Sequence, residues 1–326
     1  MKHNPDDHGP GGLLRRGNGN GWTDVHGPAV EEHDVSDTQA NTRSWPESLR
    51  QALEDLRAIP HLGVWAGLGA AMAIGLWVRL TFILANDFPL NDGGMFYTMA
   101  LDIQRAGFAL PEFTTYNLNG IPFAYPPLGL YVAAIVEAVT PLDMLGVTRF
   151  LPLLFNILTI GAVYFLARAM LVSTAAATVA AIAFALLPRS YTWLIVGGGL
   201  TRSPALLFAV LGILFVYLFY TRRQWKFMAP AAVLPGLAML THPEVGWFTI
   251  FTYVLLFLLH GLHKEGLLGS ALAAAGTLAI TAPWWGTVIS RHGLEPLLAA
   301  AGTGNHDLAI QMVRQIGYLY FTEEPY

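Results

Sequence analysis

The sequence predicts an all-α polytopic membrane protein, and three observations carry that prediction. Of its 326 residues, 54% are hydrophobic and only 12% charged, against the roughly 25% charged residues of a soluble globular domain. Mean hydropathy is positive, at +0.47. From Leu62 onward, apolar residues come in long runs; the first, Leu62–Ala85, holds no Asp, Glu or Lys and a single Arg, Arg79. At about 1.5 Å of rise per residue, such a run crosses a ~30 Å hydrocarbon core. The chain has no cysteine, which removes disulfides, thiolate zinc sites and thiol nucleophiles together. A formal net charge of -4 gives no basic footprint for nucleic acid, so the partner that composition implies is the lipid bilayer.

Residues 1–58 differ in kind, being rich in Gly, Asp, His and Asn. They cannot bury enough apolar surface to offset their ordering entropy and read as a disordered tail. His3, His8, His26 and His33 are too irregularly spaced for a metal site and read as solvated. Ser44-Trp45-Pro46-Glu47 has the form of a capping box, which opens a short helix over about 45–58. No signal peptide is visible, because a cleavable one needs its apolar core near the start.

Residues 59–326 then form a transmembrane module of about seven spans. After the first run come Phe150–Leu171, Thr174–Leu187, Ser203–Tyr220, Phe227–Leu240, Gly246–His260 and Leu267–Ile289. Leu128–Val139, between Pro127 and Pro141, decides the topology, because counting it as a span flips every later loop. If it lies on the surface without crossing, one side receives the tail with its six basic residues, Arg168, Arg222, Arg223, Lys226 and Lys264. The positive-inside rule makes that side cytoplasmic. The expectation is a multi-pass protein of the plasma (inner) membrane with its N-terminus in the cytoplasm. The abrupt ending at Tyr318–Tyr326 reads as a truncation before a further span or as a minimal form.

With that topology the polar residues that are out of place in such a chain gather on the outer side. Asp92, Tyr125, Arg149, Arg202, His242, Glu244, Arg291 and His292 all sit in or beside outer loops. Residues 94–107 have the pattern of an amphipathic helix lying on the membrane, with Phe96, Ala100 and Ile103 on one side and Thr98, Asp102 and Arg105 on another. Asp92 precedes it, where an Asp caps orphan amides or does chemistry. Tyr125-Pro126-Pro127 fixes an extended approach to a helix start. In Gly197-Gly198-Gly199-Leu200-Thr201-Arg202, the guanidinium offers a fork suited to phosphate and the glycines allow close approach; the other reading is an interfacial Arg beside a flexible turn. Thr241-His242-Pro243-Glu244 supplies a metal ligand, a general acid or a second carboxylate, or is plain loop punctuation. Arg79 reads as snorkelling to the nearby interface, and Trp284-Trp285 as an interfacial anchor.

The order of acid, surface helix, loop and aromatic-Pro-Pro-Leu helix after the first span resembles the polyprenyl-phosphate-dependent membrane glycosyltransferases of the GT-C fold. These include the protein O-mannosyltransferases and the lipid A aminoarabinose transferases. Asn91-Asp92-Gly93 with Phe96-Tyr97 looks like the corresponding loop of bacterial oligosaccharyltransferases. Thr148-Arg149-Phe150-Leu151-Pro152 is similar to an Arg-Leu-Pro segment of the family, and Ala282-Pro283-Trp284-Trp285 to its Pro-Trp. The likeness covers about residues 62–310. It implies a GT-C-type helical bundle whose first outer loop carries surface helices. It also implies a sugar donor linked to polyprenyl phosphate, an extracytoplasmic acceptor, and Asp92 as general base or as ligand of a divalent metal, Mg or Mn. Tyr125, Arg149, Arg202, His242, Glu244 and His292 are the candidate substrate-binding residues. The sequence departs from the family in two places. Tyr125 stands where relatives carry a basic residue, often Lys, and the Gly197–Pro204 loop lacks their second carboxylate. The outer domain with the Trp-Trp-Asp motif is not in this sequence, so peptide glycosylation by the oligosaccharyltransferase route is not expected. The alternatives are a transporter, for which no pair of matching broken segments is seen, and a non-catalytic membrane protein or inactive fragment of such an enzyme.

Overall fold

Apolar runs become helix almost throughout the computed structural model, which describes residues 61–87 and 91–302. All of these lie in the second of the two units into which the chain divides, Glu54–Tyr326. The expected tail, its capping-box helix and the C-terminal run lie outside the described residues.

Eleven α-helices are present among the described residues. The first, α1 (Leu62–Leu84), is followed by α2 (Gly93–Arg105) and a minimal hairpin of β1 (Phe113–Thr114) and β2 (Ile121–Pro122). The strands pair antiparallel, with Phe113 opposite Pro122 and Thr114 opposite Ile121. Then come α3 (Leu128–Val139), α4 (Met144–Leu171), α5 (Thr174–Leu186) and the single turn α6 (Thr192–Ile195). The chain ends its described part with α7 (Gly199–Arg222), α8 (Met228–Thr241), α9 (Pro243–His260), α10 (Lys264–His292) and α11 (Glu295–Gly302). Local chemistry sets several starts. The Asp143 carboxylate accepts from the Gly146 amide at 2.7 Å before α4, and Ser173 caps α5 through Ala176, each satisfying an orphan amide.

The chain is an all-α polytopic membrane protein. Five helices among the described residues, α1, α4, α7, α9 and α10, are long and apolar enough to cross a membrane. The α5 helix makes a sixth if it is joined to the segment Pro188–Ile195, from which it is bent by 83°. The expected span at Phe227–Leu240 is the 14-residue α8, only about 21 Å long, and it does not reach across by itself. The 12-residue α3 is shorter still, as a non-crossing helix requires. Side by side, α1 packs on α4 and α5, α4 on α7, and α7 on α8 and α9, while α10 lies against α8.

Two sequence expectations change here. Arg79 does not snorkel; it is fully buried. Its guanidinium donates to Asn156 Oδ1, to the Ala185 carbonyl at 2.8 Å, to Ser190 Oγ at 3.0 Å and to Gly75 O at 3.2 Å. The α5 helix ends at this depth, and a cation there satisfies carbonyls that have no helical partner. Asp102, expected on the wet face of α2, is buried beside Phe96, Met99, Ala100 and Ile103. The hairpin folds back over that edge of the helix. Asp102 accepts from Thr114 Oγ1 and the Thr115 amide, both at 2.8 Å, and from Thr115 Oγ1 at 2.6 Å. Burial by itself raises the carboxyl pKa, but these bonds and the Arg105 charge outweigh it and hold the group below the usual carboxylate range.

Candidate functional site

One end of the bundle collects the polar residues. The end of α1, the α2–α3 loop, the starts of α4 and α7, and the turn from α8 into α9 all meet there. Tyr125 follows the buried Phe123, whose amide is tied to the Glu112 carbonyl at 2.9 Å. The Tyr125 ring stands edge-on to Phe96, with centroids 5.1 Å apart, and its hydroxyl lies 3.1 Å from Thr201 Oγ1. Thr201 has one hydroxyl proton, and it is spent on the Gly198 carbonyl at 3.1 Å. The Tyr125 hydroxyl is therefore the donor in its bond to Thr201, and its own lone pairs remain open to a ligand hydroxyl. Burial pushes the phenol up to about 12, and the negative charges of Asp92 and Glu244 add to this against the pull of Arg202.

Arg202 lies in the first turn of α7, which begins at the glycine triplet. Glycine at 198 leaves room for it, since a Cβ there would sit 2.5 Å from Arg202 Nη1. The guanidinium rests 5.6 Å from the centre of the Trp193 ring and donates through Nε to His242 Nε2 at 3.2 Å. His242 is the extended residue between α8 and α9 and the N-cap of α9. A guanidinium only donates, so Nε2 accepts; His242 is neutral and carries its proton on Nδ1. Burial first, and Arg202 second, push its pKa down to about 4. Among the described residues, His242 Nδ1 and Arg202 Nη1 are both buried and without a hydrogen-bond partner. His242 is only 7% exposed, so a donor left open there costs about 1–3 kcal/mol unless a ligand fills it. Both donors stand at helix N-termini, whose free amides favour negative charge.

Asp92 is exposed at the start of α2 and makes no side-chain capping bond, so the capping reading is not realised. Glu244 is exposed in the first turn of α9. This end of the bundle thus offers two donors without partners, Arg202 Nη1 and His242 Nδ1, the Tyr125 hydroxyl bonded to the neighbouring Thr201, and two exposed carboxylates at helix starts, Asp92 and Glu244. Such a set suits a ligand with an anionic end and a hydroxylated end.

Two expected substrate residues make their contacts elsewhere. Arg149 donates to the Asn86 carbonyl at 2.8 Å and the Ile83 carbonyl at 3.3 Å, closing the end of α1. His292 Nε2 meets the Glu112 carbonyl at 3.0 Å, and its ring stands edge-on to Phe113. With Arg291, which donates to the Leu110 and Pro111 carbonyls at 2.9 and 3.2 Å, it clasps the loop between α2 and α3 to α10. Trp284, expected as a lipid anchor, instead donates to the Ala124 carbonyl at 3.2 Å and fixes the peptide beside Tyr125. Among the described residues no group of three or more His, Asp or Glu side chains comes together to hold a metal. Asp92 therefore has no ready-made set of protein ligands beside it among these residues.

Sequence reasoning gave no site role to Thr201, Trp193 or Trp284: Thr201 figures only as part of the glycine motif, Trp284 only as an interfacial anchor and part of a Pro-Trp likeness, and nothing local marks Trp193. Only the glycine triplet carried a signal, because three glycines before an Arg predict a backbone that approaches something closely.

Among curated proteins, none matches the chain. A family profile, described as the 6-pyruvoyl-tetrahydropterin synthase related domain and as a membrane protein, matches residues 124–298. That stretch is more than half of the chain and holds Tyr125, Arg202, His242 and Glu244 together with α3 through α10. The chain therefore belongs to the 6-pyruvoyl-tetrahydropterin synthase related family of membrane proteins.

Proposed function

We propose that this protein is a membrane glycosyltransferase that takes a sugar from a polyprenyl-phosphate carrier and passes it to an acceptor hydroxyl. The observation that carries the reading is a pair of buried donors without partners at two helix N-termini, Arg202 Nη1 and His242 Nδ1, next to the Tyr125 hydroxyl that is bonded to Thr201. A glycosyl phosphate presents an anion and a ring of hydroxyls to such groups, and the site lies at one end of membrane-spanning helices, where a lipid carrier's phosphate resides.

In the proposed step the Asp92 carboxylate takes the proton of the acceptor hydroxyl as its oxygen attacks the anomeric carbon. The bond from that carbon to the phosphate oxygen breaks, and its electron pair leaves with the phosphate. Arg202 Nη1–H and His242 Nδ1–H stabilise the charge that develops on the leaving group. Tyr125, held as a phenol, accepts from a sugar hydroxyl and orients the ring. Arg202 and His242 thus take over the phosphate contact that relatives of the GT-C enzymes make with a base before Pro-Pro. Arg168, Arg222, Arg223, Lys226 and Lys264 crowd the opposite end of the bundle, which supports a cytoplasmic assignment for that end and an extracytoplasmic site in the plasma (inner) membrane.

The test is transfer from a panel of polyprenyl-phosphate sugars to endogenous membrane acceptors, with wild type and Asp92→Asn. The variant is expected to lose about 10²–10⁴-fold in rate while its thermal stability changes by less than about 0.5 kcal/mol, because Asp92 caps nothing. Equal transfer by both proteins removes Asp92 from the chemistry. Absence of transfer by wild type with every donor overturns the glycosyltransferase reading.

A further inference from the structure

After α5 the chain bends by 83° into the segment Pro188–Ile195, and this bent segment joins two cations. Residues 187–198 turn away from α5, pass through α6 and enter the glycine triplet at the head of α7. On one side of this segment stands Arg79, fully buried, with no carboxylate in ion-pair reach among the described residues. Its partners come from three elements: Gly75 O on its own helix, Asn156 on α4, and Ala185 O and Ser190 Oγ at the bend. Asn156 in turn donates to the Ser190 carbonyl at 3.0 Å, and Ser190 Oγ donates to the Leu187 carbonyl at 2.7 Å. Tyr191 lies over the guanidinium, 5.1 Å from ring centre to Cζ. The arrangement compensates a buried positive charge with the negative end of α5 in place of an acid.

On the other side the same segment touches the first turn of α7. Trp193 carries the Arg202 guanidinium on its face, and the Leu194 carbonyl accepts from Ser203 Oγ at 2.5 Å. Only three residues stand between Ser190, held by Arg79, and Leu194, held by Ser203. A single turn of helix, α6, transmits between them.

We infer that Arg79 is a positioning residue for the anion site: through Ser190 and the α6 turn it fixes Trp193 and the head of α7, and so the direction of the Arg202 fork. The inference rests on the reading that Arg202 holds the ligand's anion. Lysine does not replace Arg79, because one ammonium point cannot hold acceptors on three elements as a planar fork does.

The experiment uses the full-length chain in lipid nanodiscs with a C15 prenyl monophosphate as probe. Arg202→Gln weakens binding by about tenfold or more, the loss of a charge-assisted bond, and Arg79→Lys weakens it by a comparable factor. Combined with Arg202→Gln, Arg79→Lys costs nothing further, because its effect runs through Arg202. Full additivity overturns the inference. A second readout does not depend on the ligand. The chain has no cysteine, so Leu194→Cys and, as a control, Ala231→Cys in α8 report local opening by maleimide labelling. Arg79→Lys is expected to speed labelling at position 194 by about tenfold and to leave position 231 slow. Equal acceleration at both sites means that Arg79 supports the whole bundle, and this also overturns the inference. If Arg202→Gln binds the probe as wild type does, the anion reading of the site fails, and the labelling still reports whether Arg79 fixes the segment.

Discussion

His242 is neutral because it is buried and accepts from Arg202, and this state has a measurable sign. Its pKa in the fold, about 4, lies below the ordinary 6.5. The stability tied to neutral His242 is complete above pH 6.5 and is lost as pH falls toward 4, because the unfolded chain takes up its proton first. Between pH 7.5 and 5 this amounts to about 2 kcal/mol. Thermal melting of wild type is expected to drop over that interval by correspondingly more than melting of His242→Gln; equal drops contradict the assignment. Gly198 makes a second residue-scale case. Its backbone, φ −66° and ψ −6°, accepts any residue, yet an added Cβ meets the end of the Arg202 side chain. Gly198→Ala is expected to cost less than about 1 kcal/mol of stability while weakening prenyl phosphate binding by about tenfold. At this scale the sequence named Asp92, Arg202, His242 and Glu244 because their types are costly in an apolar chain. It gave no site role to Thr201 or Trp193, whose types are ordinary there.

Among the elements, the loop between α2 and α3 depends on Asp102. Asp102→Ala strands two Thr115 donors and the Thr114 hydroxyl, a loss on the order of 2–4 kcal/mol for a buried carboxylate with several bonds. Hydrogen exchange is expected to quicken over residues 106–123 and not in α7; unchanged exchange in the loop refutes the anchoring role. The contact between α3 and α7 is as specific. A Cβ at Gly129 would come within 2.6 Å of the Leu200 carbonyl, a backbone atom that cannot step aside. Gly129→Ala therefore costs about 1–3 kcal/mol, read as a lowered melting temperature, and it disturbs the turn that holds Thr201 and Arg202. The amphipathic pattern of α2 was legible at Phe96, Ala100 and Ile103, but its other face was misread at Asp102. Periodicity shows which residues share a face, not whether a second segment covers it.

Across the whole molecule, direction of travel fixes which ends meet. The chain runs along α7 from the site to Arg222 and returns through α8, so Gln224 and the hairpin tip at Asn119 lie at opposite ends. Single cysteines at these positions are expected to be labelled from opposite faces of the membrane; labelling from one face contradicts a crossing α7. The number of spans was only partly legible. Composition marked Phe227–Leu240 as a span, whereas the helix formed is 14 residues long and contains Pro235. Hydropathy measures preference for an apolar medium and does not distinguish lipid from neighbouring helices.

The sequence by itself determined the class of the protein, most of its longer helices and the chemical types available at one end, because hydrophobic runs and helix starts follow from local composition and local hydrogen bonding. The tertiary structure alone decided which of those groups meet. It turned Arg79 inward to the bent segment, drew Arg149 and His292 away to loop carbonyls, and left Arg202 and His242 with open donors beside Tyr125. Such choices depend on how far each carbonyl and side chain lies from groups that are dozens of residues away in the chain, and no local pattern contains those distances.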